Sequence, residues 1–312
     1  MFMWHFTLSV TGPVIARAAS LATLAAAAMF ALPHLAASQS SVHALQSTIA
    51  EIETRLDARV GVAILQTGTR WSWQHRADER VLMNSTFKAL LCAAVLHRVE
   101  QGTLSLDETL PIRQTDIQRY APVTQREIGN ALTLRDLCFA TIDQSDNTAA
   151  NLLIDRLGGP QSVTAFLRGI GDTVGRLDRL EPALNELSAD RLQDTTTPAA
   201  MASTLQHLLV GSGLSNASRQ QLFDWMRLGG VTQYFLRAYV PDTWAVADKS
   251  GAGSSTRSLV AMLRPADDLP YFVAIYLADA EVSFAARNAA LIKLSGAVVQ
   301  VLMDRQASRQ AP

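Results

Sequence analysis

Ser85 and Lys88 are the first pair of side chains in this sequence whose types and spacing suggest covalent catalysis. They lie three positions apart at the start of an apolar stretch, so in a helix both would face the same side. A serine hydroxyl becomes a good nucleophile when a neighbouring base accepts its proton, and a desolvated lysine amine can be that base. At a helix N-terminus, Ser85 would also offer a free backbone N–H to an oxyanion.

Three further short patterns contain groups that could assist such a nucleophile. They are Ser145-Asp146-Asn147, Glu181-Pro182-Ala183-Leu184-Asn185 and Lys249-Ser250-Gly251. Each also has a plain structural interpretation, because the first is a good helix cap and the last suits a hairpin edge with a surface lysine. The carboxylate of Glu181 matters most, since an acyl-serine ester persists until a base directs water to it.

The spacing of apolar residues predicts the elements that must position these groups. It predicts a helix and a hairpin first, then a helical middle, then three strands and a long closing helix. The first elements are the helix Val42–Leu56 and the strands Val60–Leu65 and Arg70–Trp73. The helices of the middle are Phe87–Glu100, Thr133–Ile142, Thr148–Leu157 and Thr197–Leu209. The last elements are the strands Trp244–Asp248, Ser258–Leu263 and Tyr271–Leu277 and the helix Phe284–Met303.

This order predicts an α+β fold with an antiparallel sheet of about five strands flanked by helices. The sheet would be built from both ends of the chain, with an all-helical domain inserted between them. We expect one discontinuous α/β domain from residues 39–80 and 228–312, and a helical domain from residues 81–227. The candidate active site would lie between the two.

Residues 1–38 have the composition of an export signal. Ala18–Leu32 is almost wholly apolar but shorter than the ~20 residues that a membrane-spanning helix needs. Small residues follow, which predicts cleavage near Ala37 or Ser38 and release of the mature chain into the periplasm. An uncleaved N-terminal anchor is the alternative, because the start of the chain carries little positive charge.

The composition of the chain also limits its partners. Its 312 residues carry a net charge of −1, so the basic surface that nucleic-acid binding needs is missing. The six histidines follow no metal-binding spacing, and we expect neither a metal nor another cofactor. A small neutral or anionic molecule is the better candidate ligand, with the mature protein a monomer that has no stable association with the membrane.

Cys92 and Cys138 are the two cysteines of the chain. An even number of cysteines in an exported protein suggests a disulfide between them. Two buried free thiols are the alternative that the sequence leaves open.

Taken together and in this order, the four patterns resemble those of the class A serine β-lactamases. The resemblance extends from about Ala44 to Met303, and segments such as Asp143–Gly159 look closest to the carbenicillin-hydrolysing penicillinases. It implies a β-lactamase fold and hydrolysis of penicillin-type β-lactams through an acyl-enzyme, which would confer resistance to them.

The resemblance also implies a role for each matching residue. Ser85 would be the nucleophile with Lys88 beside it, Ser145 would pass a proton to the leaving nitrogen, and Glu181 would activate the deacylating water. Either Lys88 or Glu181 would be the base for acylation. The other implied roles are water binding by Asn185, an oxyanion hole from the N–H groups of Ser85 and Ala252, substrate binding by Tyr120, Asn147, Lys249, Ser250, Gly251 and Arg257, and structural support from Asp146, Arg179, Pro182 and Asp194. The Glu181–Pro182 bond is expected to be cis.

Two departures from the family bear on substrate choice. Carbenicillin-hydrolysing relatives usually have arginine where this chain has Lys249, and the turn Gly253–Thr256 looks one residue short, which would shift Arg257. Two rival functions remain, a penicillin-binding D-Ala-D-Ala peptidase and a non-catalytic β-lactam sensor. Both would be acylated without rapid hydrolysis, and the segment from Glu181 to Asn185 argues against them.

Overall fold

The structure, a computed structural model, describes residues 1–5 and 39–310. Its first helix, α1, spans residues 39–56 and therefore begins slightly before the predicted Val42. The predicted export signal, with its cleavage near Ala37 or Ser38, lies almost entirely outside the described residues. Within the part of the chain that is described, no helix combines the length and the apolar character needed to cross a bilayer.

One five-stranded antiparallel sheet contains strands from both ends of the described chain. The order across it is β2-β1-β9-β8-β7. These strands are β1 (Arg59–Gln66), β2 (Ser72–His75), β7 (Ala245–Ala252), β8 (Arg257–Arg264) and β9 (Tyr271–Ala278). β1 pairs with β9, and Arg59 lies opposite Ala278. The five strands therefore form one sheet only when β9, the last strand of the chain, is present. The predicted α+β class and sheet are confirmed.

Most helices lie between the second and the seventh strand. They are α2 (Phe87–Glu100), α3 (Leu134–Asp143), α4 (Asn147–Leu157), α5 (Pro160–Gly169), α6 (Pro198–Leu209) and α7 (Asn216–Met226), and α8 (Phe284–Gln310) closes the chain. Two small two-stranded ladders tie the loops between them. The first pairs β3 (Val81–Leu82) with β6 (Thr195–Thr196), and the second pairs β4 (Thr109–Pro111) with β5 (Ala131–Thr133).

The sheet separates two apolar clusters because successive side chains of a strand point to opposite faces. In β9, Val273 and Ile275 join the cluster that contains residues of α1 and α8, while Phe272 and Ala274 join the cluster of the inserted helices. Both faces are therefore covered, and all eight residues of β9 are buried. The sheet therefore gives rigid support to the residues of its edge strand, β7.

Several sequence expectations differ from the structure, and β7 extends to Ala252 where the predicted strand ended at Asp248. The short helices α5 and α7 were not predicted, although each has buried apolar residues at helical spacing. The closing helix was predicted to end at Met303, which was wrong, since α8 continues to Gln310. In its last turns, hydrogen bonds from Gln300 and Ser308 to Asp304 help to maintain the helix.

Candidate active site

Ser85 lies in a short 3-10 helix, Asn84–Thr86, that leads directly into α2. The preceding residue, Asn84, has a φ of +45°, a left-handed conformation that is strained for a residue with a side chain. Two bonds hold this turn, because Thr256 Oγ1 donates to Asn84 Oδ1 at 2.7 Å and Met83 N donates to Asp194 O at 3.0 Å. The hydroxyl of Ser85 is thereby presented at the start of α2, as the sequence predicted.

Lys88 projects from the first turn of α2 into a fully buried position below Ser85. Its ammonium donates to Asn147 Oδ1 at 2.6 Å and to the carbonyl of Ser145 at 2.8 Å. It also lies 3.4 Å from Glu181 Oε1, in an ion pair whose two side chains have no exposed surface. Burial lowers the pKa of Lys88, while the charge of Glu181 opposes that change. Lys88 therefore brings three of the four sequence patterns into contact, namely its own pattern with Ser85, the Ser145–Asn147 pattern and the Glu181 pattern.

Glu181 is fixed on both its backbone and its side chain. Asn151 of α4 holds the backbone, since Glu181 N donates to Asn151 Oδ1 and Asn151 Nδ2 donates to Glu181 O, both at 2.9 Å. Asn185 Nδ2 donates to Glu181 Oε2 at 2.6 Å. The other oxygen, Oε1, is buried and accepts no hydrogen bond among the described residues, although the Lys88 ammonium is ion-paired with it at 3.4 Å. The Glu181–Pro182 bond is cis, as expected.

The loop that carries Glu181 is closed by the buried carboxylate of Asp194. Arg179 Nε lies 2.5 Å from Asp194 Oδ2, and the N–H groups of Asp178 and Arg179 donate to Asp194 Oδ1 at 2.7 and 3.0 Å. Arg179 also donates to the carbonyl of Glu186 on the far side of the loop. We call residues 178–194 the Glu181 loop, and its two ends are joined by this ion pair.

Asp146 is fully buried at the N-terminus of α4 and serves two structural purposes. Its Oδ1 accepts from Ala149 N at 2.9 Å and so caps the helix. Its Oδ2 accepts from the N–H groups of Val123 and Thr124 at 3.0 and 2.9 Å, which fixes the loop that carries Tyr120. The helix-cap interpretation of this pattern is therefore confirmed for Asp146.

The edge strand β7 brings the last pattern to the site. Lys249 Nζ is fully buried, donates to Ser145 Oγ at 3.1 Å and donates to the carbonyl of Ser250 at 2.9 Å. Gly251 allows β7 to pass close to the Ser85 turn, because a Cβ there would lie 2.6 Å from Ser258 Oγ and 3.1 Å from Met83 O. Burial, and then the charges of Lys88 and Arg257, hold the pKa of Lys249 well below its usual value.

Arg257 opens β8 directly opposite Ala252 and faces the same cleft despite the short turn before it. Its Nη1 donates to Gly251 O at 2.8 Å and its Nε donates to Asn288 Oδ1 at 3.2 Å. Burial, aided by the charge of Arg287, lowers its pKa to about 10, so it remains a cation at neutral pH.

These residues surround a cleft of about 400 Å³. Tyr120, half exposed, stands at its rim, and Lys88, Glu181 and Lys249 lie buried beneath it. The lining contains the predicted residues Ser85, Tyr120, Ser145, Asn147, Asn185, Ser250, Gly251, Ala252 and Arg257, together with Val231 and Phe284. All the predicted catalytic and substrate-binding residues are therefore brought together. Across residues 1–5 and 39–310, no group of three or more His, Cys, Asp or Glu side chains could hold a metal ion.

Cys92 and Cys138 are buried near each other but are not bridged in the structure. The thiol of Cys92 donates to the carbonyl of Cys138 with an Sγ to O distance of 3.8 Å. Burial and the neighbouring Cys138 raise the pKa of the Cys92 thiol, which disfavours the reactive thiolate. The predicted disulfide is thus absent from the structure, which has the two free thiols that the sequence left open.

Sequence reasoning missed several residues that shape the site. Asn151 was detectable in principle, because it lies one helical turn after Asn147 and must face the same side. Phe235 and Phe284 belong to no motif, and their place beside Arg257 depends on the packing of distant elements.

Comparisons with known proteins agree with this geometry. The sequence profile described as "Beta-lactamase enzyme family" matches residues 44–302. A "Beta-lactamase" from Rhodobacter capsulatus is 49% identical over 266 residues, which covers 85% of this chain and 91% of that protein. "Beta-lactamase CARB-3" from Pseudomonas aeruginosa is 43% identical over 266 residues, which covers 85% of this chain and 92% of that protein.

Solved structures give the same result. A β-lactamase from Xanthomonas campestris is 44% identical with a TM-score of 0.79, and the match covers 83% of this chain and 97% of that one. A class A β-lactamase described as the last common ancestor of Gram-negative bacteria is 48% identical with a TM-score of 0.79, and the match covers 83% of this chain and 99% of that one.

Proposed function

This chain belongs to the class A β-lactamase family, and on that premise we propose that it hydrolyses penicillin-type β-lactams through an acyl-enzyme on Ser85. Members of this family are serine hydrolases that open the cyclic amide of β-lactam antibiotics, and the reaction confers resistance. One observation carries the mechanism: the Lys88 ammonium lies 3.4 Å from both the Glu181 carboxylate and the Ser145 hydroxyl, and Ser145 lines the same cleft as Ser85.

Acylation would begin when Ser85 Oγ attacks the lactam carbonyl carbon. Its proton would pass to the Glu181 carboxylate or to Lys88 in its neutral amine form, which the lowered pKa of Lys88 favours. The N–H groups of Ser85 and Ala252 would stabilise the oxyanion, because preorganised donors need no reorganisation as charge develops. When the C–N bond breaks, Ser145 passes its proton to the leaving nitrogen and is reprotonated by Lys88 or Lys249, whose amines lie 3.4 and 3.1 Å from its Oγ.

Deacylation would depend on Glu181. A water molecule would lose a proton to Glu181 Oε1, which accepts no hydrogen bond among the described residues, and attack the ester carbon. As the bond between that carbon and Ser85 Oγ breaks, Glu181 would return the proton to Ser85 Oγ and the ring-opened acid would leave. A positioned base of this kind typically contributes about 10²- to 10⁴-fold to the rate. Asn185, which already bonds to Glu181 Oε2, would help to orient the water.

The test is turnover of benzylpenicillin by the purified mature protein. We expect continuous hydrolysis by the wild type and none by Ser85→Ala. Glu181→Ala should accumulate the acyl-enzyme, visible as a stoichiometric mass increase of the intact protein. Glu186→Ala is the matched control, because this exposed glutamate lies on the same loop and forms no side-chain hydrogen bond among the described residues.

Three results would contradict the proposal. A single burst without turnover by the wild type would favour the D-Ala-D-Ala peptidase or the sensor. Turnover by Glu181→Ala at the wild-type rate would remove Glu181 from the mechanism. Loss of activity in Glu186→Ala equal to that in Glu181→Ala would show that the loop tolerates no change of any kind.

We also propose that this chain is related to the carbenicillin-hydrolysing group of the family, in keeping with the match to the CARB-3 enzyme. Lys249 and Arg257 provide two buried cations for the carboxylate that carbenicillin shares with other penicillins. The ratio of kcat/KM for carbenicillin to that for benzylpenicillin measures the preference. Carbenicillin-hydrolysing relatives usually have arginine at the position of Lys249, so Lys249→Arg should raise this ratio. An unchanged ratio would contradict a role of this residue in carbenicillin preference.

Finally, we propose that residues 39–80 with 228–312 and residues 81–227 are the two domains, with the cleft between them. The lining of the cleft supports its position between them, since Ser85, Ser145 and Asn185 come from the helical range and Ser250 and Arg257 from the other. We further propose a monomer, exported to the periplasm after cleavage near Ala37 or Ser38. N-terminal sequencing of the exported protein and its mass in solution test these two points.

A further inference from the structure

Arg257 lies between two aromatic rings at the end of the cleft. Its Cζ is 4.8 Å from the ring centroid of Phe235 and 5.4 Å from that of Phe284. Phe235 is buried in the core beneath, whereas the ring of Phe284 is 55% exposed and lines the cleft. No sequence motif includes either residue.

Arg257 has no carboxylate partner among the described residues, although only 6% of its surface is exposed. Its hydrogen-bond acceptors are the neutral oxygens of Gly251 and Asn288. A nearby cation, Arg287, adds repulsion. A buried charge is costly unless something stabilises it, and a ring face within about 6 Å of a guanidinium does so through its quadrupole.

The first turns of α8 supply two of these contacts together. Phe284 and Asn288 are four positions apart, so they lie on the same face of the helix, and both reach Arg257. The guanidinium is thus held by a ring and an amide, neither of which carries a negative charge. An acidic residue in the same place would neutralise Arg257 and compete with an anionic substrate for it.

We propose that Phe284 is a positioning residue for the substrate carboxylate. It stabilises the charged guanidinium of Arg257 and fixes its direction, without supplying a counter-ion that substrate would have to displace. Phe284 thereby sets the affinity of the enzyme for β-lactams that carry a carboxylate next to the lactam nitrogen. This inference rests on the proposed function.

The experiment compares Phe284→Leu with Phe284→Tyr. Leucine keeps an apolar side chain but removes the ring, so KM for benzylpenicillin should rise about three- to tenfold while kcat stays within about twofold, as expected for loss of a cation–π contact. Tyrosine keeps the ring and should recover most of the loss. Phe139→Leu is the matched control, because Phe139 is also partly exposed but lies on α3, outside the cleft lining.

The methyl ester of benzylpenicillin separates an effect through Arg257 from direct contact with the substrate. Without the anion, Phe284→Leu and the wild type should have the same KM. An equal loss for the acid and the ester, or no difference between the leucine and tyrosine variants, would overturn the inference while leaving the proposed function intact. A wild type that turns over neither compound would instead refute the proposed function, and this inference with it.

Discussion

Lys249 is a buried cation that forms no ion pair within the described residues, and its contacts are the Ser145 hydroxyl and the Ser250 carbonyl. Burial of a charge without an opposite charge is unfavourable. Its pKa is lowered chiefly for that reason. We infer that this cost in folding free energy is tolerated because Lys249 would bind an anionic substrate, as is common at functional sites.

Replacing this lysine should stabilise the protein and inactivate it. Lys249→Met keeps most of the volume and removes the buried charge, so we expect the free energy of unfolding at pH 7 to rise by about 1 kcal/mol. The kcat/KM for benzylpenicillin should fall at the same time, because a cation facing the substrate carboxylate is lost. Denaturant unfolding and steady-state kinetics measure the two effects.

The stabilisation should depend on pH. Since the pKa of Lys249 is lowered on folding, the unfolded chain holds the proton up to a higher pH than the folded protein does. The wild type therefore gains stability, relative to Lys249→Met, as pH rises from neutrality towards the ordinary lysine pKa of about 10.4. Lys293→Met is the control, since Lys293 pairs with Glu51 at the surface, where solvent screens the charges and the pair should contribute little to stability. A destabilised Lys249→Met, or a difference independent of pH, would contradict this account.

In the proposed mechanism the Glu181 loop is the element on which deacylation would depend, and its two ends are joined at Asp194. That carboxylate is fully buried and receives two backbone N–H groups besides the guanidinium of Arg179. The two ends of the loop are thus fixed by charge-assisted bonds, while leucines within it, such as Leu187 and Leu192, are exposed.

Asp194→Asn should loosen this loop. The variant keeps the shape of the side chain but loses the ion pair and leaves the partly buried Arg179 uncompensated, so the free energy of unfolding should fall by on the order of 3 kcal/mol. Deacylation should slow more than acylation, because Glu181 and not Ser85 lies on the loop. Rapid-quench measurement should then show a burst of acyl-enzyme that the wild type lacks.

Arg191→Ala is a suitable comparison, because Arg191 is on the same loop but pairs with Asp279 at the surface, where its side chain is 60% exposed. It should change neither stability nor deacylation appreciably. If the two variants behaved alike, the buried ion pair would not be what fixes the loop.

A long apolar run made a helix easy to predict, whereas the short helices α5 and α7 were missed although their buried apolar residues have helical spacing. α2 was predicted with its observed bounds, since it begins with ten consecutive buried residues, all apolar except Lys88. α7 has only Leu222, Trp225 and Met226 as buried apolar residues, and its cap at Ser215 was the remaining indication of a helix. The pattern around Glu181 has no repeat, because that loop is held by polar bonds.

At the scale of the whole molecule, the convergence of the four patterns was the main prediction, and it rested on their combination. Ser85, Glu181 and Lys249 are brought together by α2, the Glu181 loop and the edge strand of the sheet. The aromatic contacts of Arg257 could not be predicted from the sequence, because Phe235 lies in the loop before β7 and Phe284 lies on α8. Such contacts depend on packing between elements distant in sequence.

The pairing of β1 with β9 has a consequence for how the molecule acquires its activity. A ribosome releases the first strand long before the strand that must lie next to it, and Lys249 also comes from the final third of the polypeptide. A chain that stops early therefore has neither a finished sheet nor a complete set of reacting groups. A bacterium that depends on this protein is protected only by molecules translated nearly to their last helix.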